Sequence, residues 1–142
     1  METTTTAETA ERLRRAITRL NRKLRYSALG GVSPAQASLL SSVEKLERPS
    51  LGDLALAEQI QPPSVTRLVQ VMEGAGLVKC VPDLDDRRCT RVQITASGRR
   101  ELERIRQRKT EFLERRLLEL STSDRRQAEA LVTFLESLWE EE

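Results

Sequence analysis

Residues 63–70 and 87–91 hold the side chains best suited to molecular recognition. At 100° per residue, Val65, Leu68, Val69 and Met72 fall on one side of a helix and Pro63, Thr66, Arg67 and Gln70 on the other. That outer face has no carboxylate until Glu73. Its chemistry suits the edges of base pairs in a major groove. Arg pairs bidentately with guanine, Gln pairs with adenine, and Thr can touch a thymine methyl. The start of such a helix also attracts phosphate. An isolated helix of this kind is more often an ordinary solvated face. The segment that follows changes the balance, because Arg87, Arg88 and Arg91 lie on a short β-ribbon, and a basic ribbon beside a polar-faced helix is a winged helix-turn-helix arrangement.

Other chemistries are excluded by what is missing. The chain has no histidine, which removes the commonest general base near neutral pH and the commonest zinc ligand. Ser-His-Asp and Cys-His nucleophile systems therefore cannot be built within the chain. Gly74-Ala75-Gly76 lacks the third glycine and the lysine of nucleotide-binding loops, and no paired carboxylate spacing stands out. We therefore expect no enzyme, no metal and no cofactor. Cys80 and Cys89 are too far apart for a CxxC motif and suggest a reducing compartment. No apolar run reaches the roughly 18 residues that a membrane span needs, so the expectation is a cytoplasmic protein with no membrane partner.

The elements that must position these residues follow from punctuation and period. The chain has 142 residues, 38% hydrophobic and 32% charged, which fits one globular domain. Its net charge of +2 is too small to imply a polyanion partner, so the distribution of charge matters more. Residues 1–32 carry seven cations against three anions, and residues 61–100 carry seven against four. Residues 101–142 reverse the sign, with eight against eleven. After a Thr-rich start expected to fray, Leu13, Ile17, Leu20 and Leu24 form a helical stripe that Gly30-Gly31 ends. Ser33-Pro34-Ala35-Gln36 reads as a capping box for a second helix, and Ser50 with Asp53 starts a short third one, about Leu51 to Gln59. Pro62-Pro63 introduces the fourth. From Leu77 the period shifts to two, predicting strands at Leu77 to Val81 and through Thr90, Val92 and Ile94, around the turn Asp83-Leu84-Asp85-Asp86. Thr95 offers a cap for a long fifth helix, and Ser121 or Ser123 a cap for a sixth. The fold class is mainly α with a small β-hairpin.

With these elements in order, the sequence resembles the multiple-antibiotic-resistance regulator (MarR) family. The resemblance is carried by Leu54-Ala55, Ser64-Val65-Thr66-Arg67-Leu68-Val69, Gly76-Leu77-Val78, Asp85-Asp86-Arg87-Arg88 and Ile94-Thr95-x-x-Gly98. It spans nearly the whole chain and implies a single domain over 1–142. Within it, a winged helix-turn-helix lobe occupies 33–98, and N- and C-terminal dimerisation helices occupy 1–32 and 99–142. The implied function is a sequence-specific DNA-binding transcriptional regulator. As in most such proteins it would be a repressor, bound as a homodimer to a pseudo-palindromic operator in double-stranded DNA.

By position, Gln61, Pro63, Ser64, Thr66, Arg67 and Gln70 form the expected recognition set, with Arg87, Arg88 and Arg91 on the wing. Asp86 is read as a brace that pairs with a wing arginine; an ordinary acidic turn residue is the alternative. Leu13, Ile17, Leu20, Leu24, Leu131, Leu135, Leu138 and Trp139 are the expected dimerisation residues, with intrachain packing as their alternative. The resemblance also implies release by a small anionic aromatic or lipophilic effector. With one Trp, one Tyr and two Phe, the sequence assigns no pocket residue to it. Arg15, Arg22 or Arg25 could attract such an anion, although solvated helix faces explain them as well.

Several positions depart from the family pattern. Gln61 stands where Ser or Thr often caps the recognition helix, Leu84 replaces a common wing Pro, and Cys80 replaces an Arg. Cys80 and Cys89 lie on opposite arms of the hairpin, and a disulfide would need a register that brings their Cα atoms to about 5.5 Å. The competing functional class is a protein-interaction module that uses the winged fold without reading DNA sequence.

Overall fold

The computed structural model describes residues 4–28 and 30–140. Of the Thr-rich start expected to fray, residues 1–3 lie outside this range. The rest of that start is drawn into a helix: α1 runs over Thr6–Ser27 behind a capping box, in which Thr5 Oγ1 accepts from Glu8 N at 3.2 Å and Glu8 Oε2 accepts from Thr5 N at 2.7 Å. The Thr-x-x-Glu signal was present in the sequence. The remaining elements are α2 (Pro34–Leu46), α3 (Leu51–Glu58), α4 (Pro62–Gly74), β1 (Val78–Pro82), β2 (Thr90–Ile94), α5 (Ala96–Leu118) and α6 (Thr122–Ser137).

Local capping chemistry sets most of these boundaries. Ser33 and Gln36 form a reciprocal capping box at α2, and Ser50 and Asp53 form one at α3. Thr95 Oγ1 accepts from Gly98 N at α5, and of the two serines offered for α6 it is Ser121 that caps. The same Thr95 hydroxyl donates to the Gly76 carbonyl at 2.6 Å, tying the start of α5 to the end of α4. Gly98 is required there, since a Cβ would stand 2.1 Å from the Leu77 carbonyl oxygen.

The core gathers Leu39, Leu40 and Val43 of α2, Leu54 of α3, Val65, Val69 and Met72 of α4, Val78 and Val92 of the hairpin, and Leu102 of α5. The stripe expected on α4 is therefore its buried face, with Leu68 packed at the margin. Leu102 carries the core past residue 99, where the sequence placed the boundary of the lobe.

The strands pair antiparallel, with Val78 opposite Ile94, Cys80 opposite Val92 and Pro82 opposite Thr90. A third backbone segment joins them: Ser50 bridges Arg91, and Pro49 O accepts from Val92 N at 2.9 Å. The sequence did not announce this contact, because Pro49-Ser50 serves locally as a helix boundary. The result is a winged helix-turn-helix lobe flanked by α1 and α6. Among the described residues, no helix is long and apolar enough to cross a membrane.

Candidate nucleic-acid interface

The outer face of α4 is built as its periodicity required. Pro63, Ser64, Thr66, Arg67 and Gln70 are all exposed, while Val65 and Val69 beneath them are buried. Arg67 takes part in no ion pair among the described residues, so its guanidinium is available to a ligand. Thr66 donates its hydroxyl to the Pro62 carbonyl at 3.1 Å, which spends the proton on its own helix and leaves the methyl and the oxygen lone pairs to face outward chemistry.

The start of α4 differs from the expected phosphate site. Gln61 is the N-cap, exposed, and its side chain makes no capping bond. Pro62 and Pro63 have no N–H, and the next amide, Ser64 N, is already bonded to Gln61 O at 2.9 Å. A phosphate approaching this end finds the helix dipole but not the usual cluster of free amides. Affinity for a polyanion has to come from side chains instead.

In the wing, residues 83–89 form a loop longer than the four-residue turn expected, closed by Asp83 N donating to Cys89 O and Cys89 N to Asp86 O, both at 2.9 Å. Asp86 Oδ1 accepts from Arg88 N and Arg88 Nε, each at 3.1 Å, so Asp86 does contact a wing arginine. Arg88 nonetheless stays open, with its side chain 92% exposed. Arg87 is exposed and forms no ion pair among the described residues.

Arg91, one of the expected DNA contacts, is less open than Arg87 and Arg88. Its side chain is 32% exposed, its Nε donates to Asp83 Oδ2 at 2.5 Å, and its Nη1 lies 3.5 Å from Asp53 Oδ2. The reason is the Ser50 bridge, which brings the start of α3 beside β2. Asp83, which sequence reasoning passed over, is the principal organiser of the wing. Its Oδ1 accepts from Asp85 N at 2.8 Å and from Asp86 N at 3.1 Å. The bond from Arg91 and these two amides hold its carboxyl at about 2, below the ordinary 3.8. Asp53 is also lowered, chiefly by its bonds to Ser50 and least by Arg91. The signal in the sequence was an Asp at the first loop position and an Arg on the returning strand, but only the register brings them together.

The cysteines do not form the pair considered for them. Cys80 faces Val92 across the ladder, three positions from Cys89, and both thiols are free. Burial, followed by the nearby Glu73, pushes the Cys80 thiol up to about 11, so it stays protonated at neutral pH and is a poor nucleophile.

Away from this face, the expected dimerisation side chains are largely uncovered. Ile17 and Leu20 are each 47% exposed, and Leu131, Leu138 and Trp139 lie between half and two-thirds exposed. Leu13, Leu24 and Leu135 are half-buried. Between α1, α2 and α5 there is a cleft of about 290 Å³, whose walls include Asn21, Arg25, Val32, Leu102, Arg106 and Lys109. Of the arginines considered for an anion, Arg25 lines it, Arg22 lies in a neighbouring hollow with Tyr26, and Arg15 is paired with Glu11.

Comparison with known proteins fits this geometry. A model of the MarR family matches residues 32–90. An uncharacterized HTH-type transcriptional regulator of Mycobacterium bovis is 32% identical over 120 residues, covering 84% of each chain, and one of Mycobacterium leprae is 33% identical over the same length. Among solved structures, a candidate transcriptional regulator from Pseudomonas aeruginosa superposes with a TM-score of 0.80 at 28% identity, covering 96% of each chain. An S. aureus MepR variant bound to an oligodeoxyribonucleotide superposes at 0.71 and 22% identity, over 92% of this chain and 97% of that one.

Proposed function

The chain belongs to the MarR family of helix-turn-helix transcriptional regulators, and from that premise we propose that it represses transcription as a homodimer on a pseudo-palindromic operator. The carrying observation is the outer face of α4. Pro63, Ser64, Thr66, Arg67 and Gln70 stand exposed together on a helix whose opposite face is locked into the core. A helix held so firmly can enter a major groove without rearranging, with Arg67 suited to guanine and Gln70 to adenine. Gln61 extends the set at the helix start. Arg87 and Arg88 are the wing residues for the adjacent minor groove, where narrow geometry strengthens the attraction for arginine.

The homodimer is supported by α1 and α6, which carry large exposed apolar side chains and bury no residue of their own. In this reading residues 33–98, with the first turns of α5, form the reading lobe, and the two ends of the chain form the dimer. Two-fold symmetry would separate the reading helices by about one DNA turn, roughly 34 Å. Release by a small anionic aromatic or lipophilic effector belongs to the same reading, and the cleft with Arg25 and Lys109 in its walls supports it.

The test is selection of duplexes from a random DNA pool at physiological salt. The expected product is an inverted repeat with half-site centres about 10 base pairs apart. Weak retention without enrichment would instead indicate charge contacts alone, or a module that binds proteins.

A further inference from the structure

We propose that Asp83, Arg91 and Asp53 form a strut that fixes the wing against the helix-turn-helix, making Arg91 a positioning residue for DNA rather than a DNA contact. The affinity readout below rests on the DNA-reading function just described; the exchange readout does not.

The geometry is specific. Arg91 sits on β2 where that strand is bridged by Ser50, the N-cap of α3. From there one guanidinium spans two elements that the sequence keeps far apart. Its Nε meets Asp83 in the wing loop, and its Nη1 meets Asp53 in the first turn of α3. Asp83 then passes the constraint onward by holding the amides of Asp85 and Asp86, the two residues that precede Arg87 and Arg88. Asp86 in turn holds Arg88. The chain of bonds thus runs from the helix-turn-helix to the side chain placed to enter the minor groove. Arg91 itself has little left to offer a phosphate, since two carboxylates already share its charge.

The contact and strut readings make opposite predictions for Asp83→Asn. If Arg91 touched phosphate, removing its competing carboxylate would leave binding unchanged or tighten it. As a strut, the loss frees the wing and weakens binding to the selected operator by more than about threefold. Asp53→Asn, which reaches the same guanidinium from the other side, should move affinity in the same direction. Arg91→Gln should also weaken binding, while the slope of log affinity against log salt stays as in the wild type; a lost phosphate contact would reduce that slope by about 1. The Asp83→Asn/Arg91→Gln double variant should be no weaker than the worse single one, because both break one connection.

Without DNA, Arg91→Gln should speed amide hydrogen exchange at Asp85 and Asp86 by about tenfold, with Val69 in the core unchanged. Circular dichroism confirms that each variant is folded. Tighter or unaltered binding by Asp83→Asn, a salt slope lowered by Arg91→Gln, or unaltered loop exchange would each overturn the strut. Failure of the wild type to select any duplex would overturn the DNA-reading function instead and leave the exchange result to decide the strut.

Discussion

The helix-turn-helix lobe and the terminal helices solve the problem of apolar surface in opposite ways. In the lobe, short helices of 8 to 13 residues send Leu39, Leu40, Val43, Leu54, Val65 and Val69 into one shared cluster. Helix α1, at 22 residues, and α6, at 16, bury no residue fully, and Leu13, Leu24 and Leu135 only in part. Yet the terminal helices have clear apolar periodicity. A regular stripe left largely uncovered within the chain is what the proposed dimer would bury, whereas the less regular pattern of the lobe marks burial from several directions at once.

The comparison can be broken at the lobe first. Leu54 is fully buried, and Leu54→Ala should cost about 2–5 kcal/mol in urea unfolding, enough to threaten the fold. Next comes Leu131, half exposed on α6. Leu131→Ala should weaken dimerisation by about 1.5–3 kcal/mol, read by sedimentation equilibrium, while the circular dichroism of the lobe is retained. If Leu131→Ala instead unfolds the lobe without changing assembly, the division between the two regions fails. Arg67→Ala separates reading from folding. It should cost about 1–3 kcal/mol of operator affinity in a fluorescence anisotropy titration and leave the unfolding midpoint in place.

A subtler test uses pH. The Asp83 carboxyl is held at about 2, so its contribution to stability is complete above its ordinary range near 3.8 and disappears as pH falls towards 2. The unfolding midpoints of the wild type and Asp83→Asn should therefore run parallel from pH 5 to 8 and converge below about pH 4. The smallest effect is expected at Gln61, whose side chain makes no capping bond. Gln61→Ser should change stability in urea unfolding by less than about 0.5 kcal/mol, because Pro62 and Pro63 have no N–H and Ser64 N is already bonded to Gln61 O.

What could be read from the sequence divides along the same physical line. The starts of α2, α3 and α5 were legible because Ser33, Ser50 and Thr95 cap amides only three positions away. The polar face of α4 was legible because helical period alone places Arg67 and Gln70 opposite Val65 and Val69. Asp83 and Arg91 were not, since their contact depends on loop length and strand register. The Ser50 bridge to Arg91 lies further still from local pattern, and so do the ion pairs that engage Arg91. The paired prolines of α4 are plain in the sequence, but the loss of free amides at its start also depends on the bond from Ser64 N to Gln61 O, which sequence alone does not fix.

The bond between Glu73 and the hairpin has a consequence for solubility. A two-stranded ribbon ordinarily offers two open edges on which a foreign strand can grow. Here Pro49-Ser50 covers β2, Glu73 Oε2 accepts the outward amide of Cys80 at 2.7 Å, and Pro82 ends β1 without an N–H. Both edges of the ribbon are thereby partly covered, which leaves little purchase for edge-to-edge growth on β1 and β2.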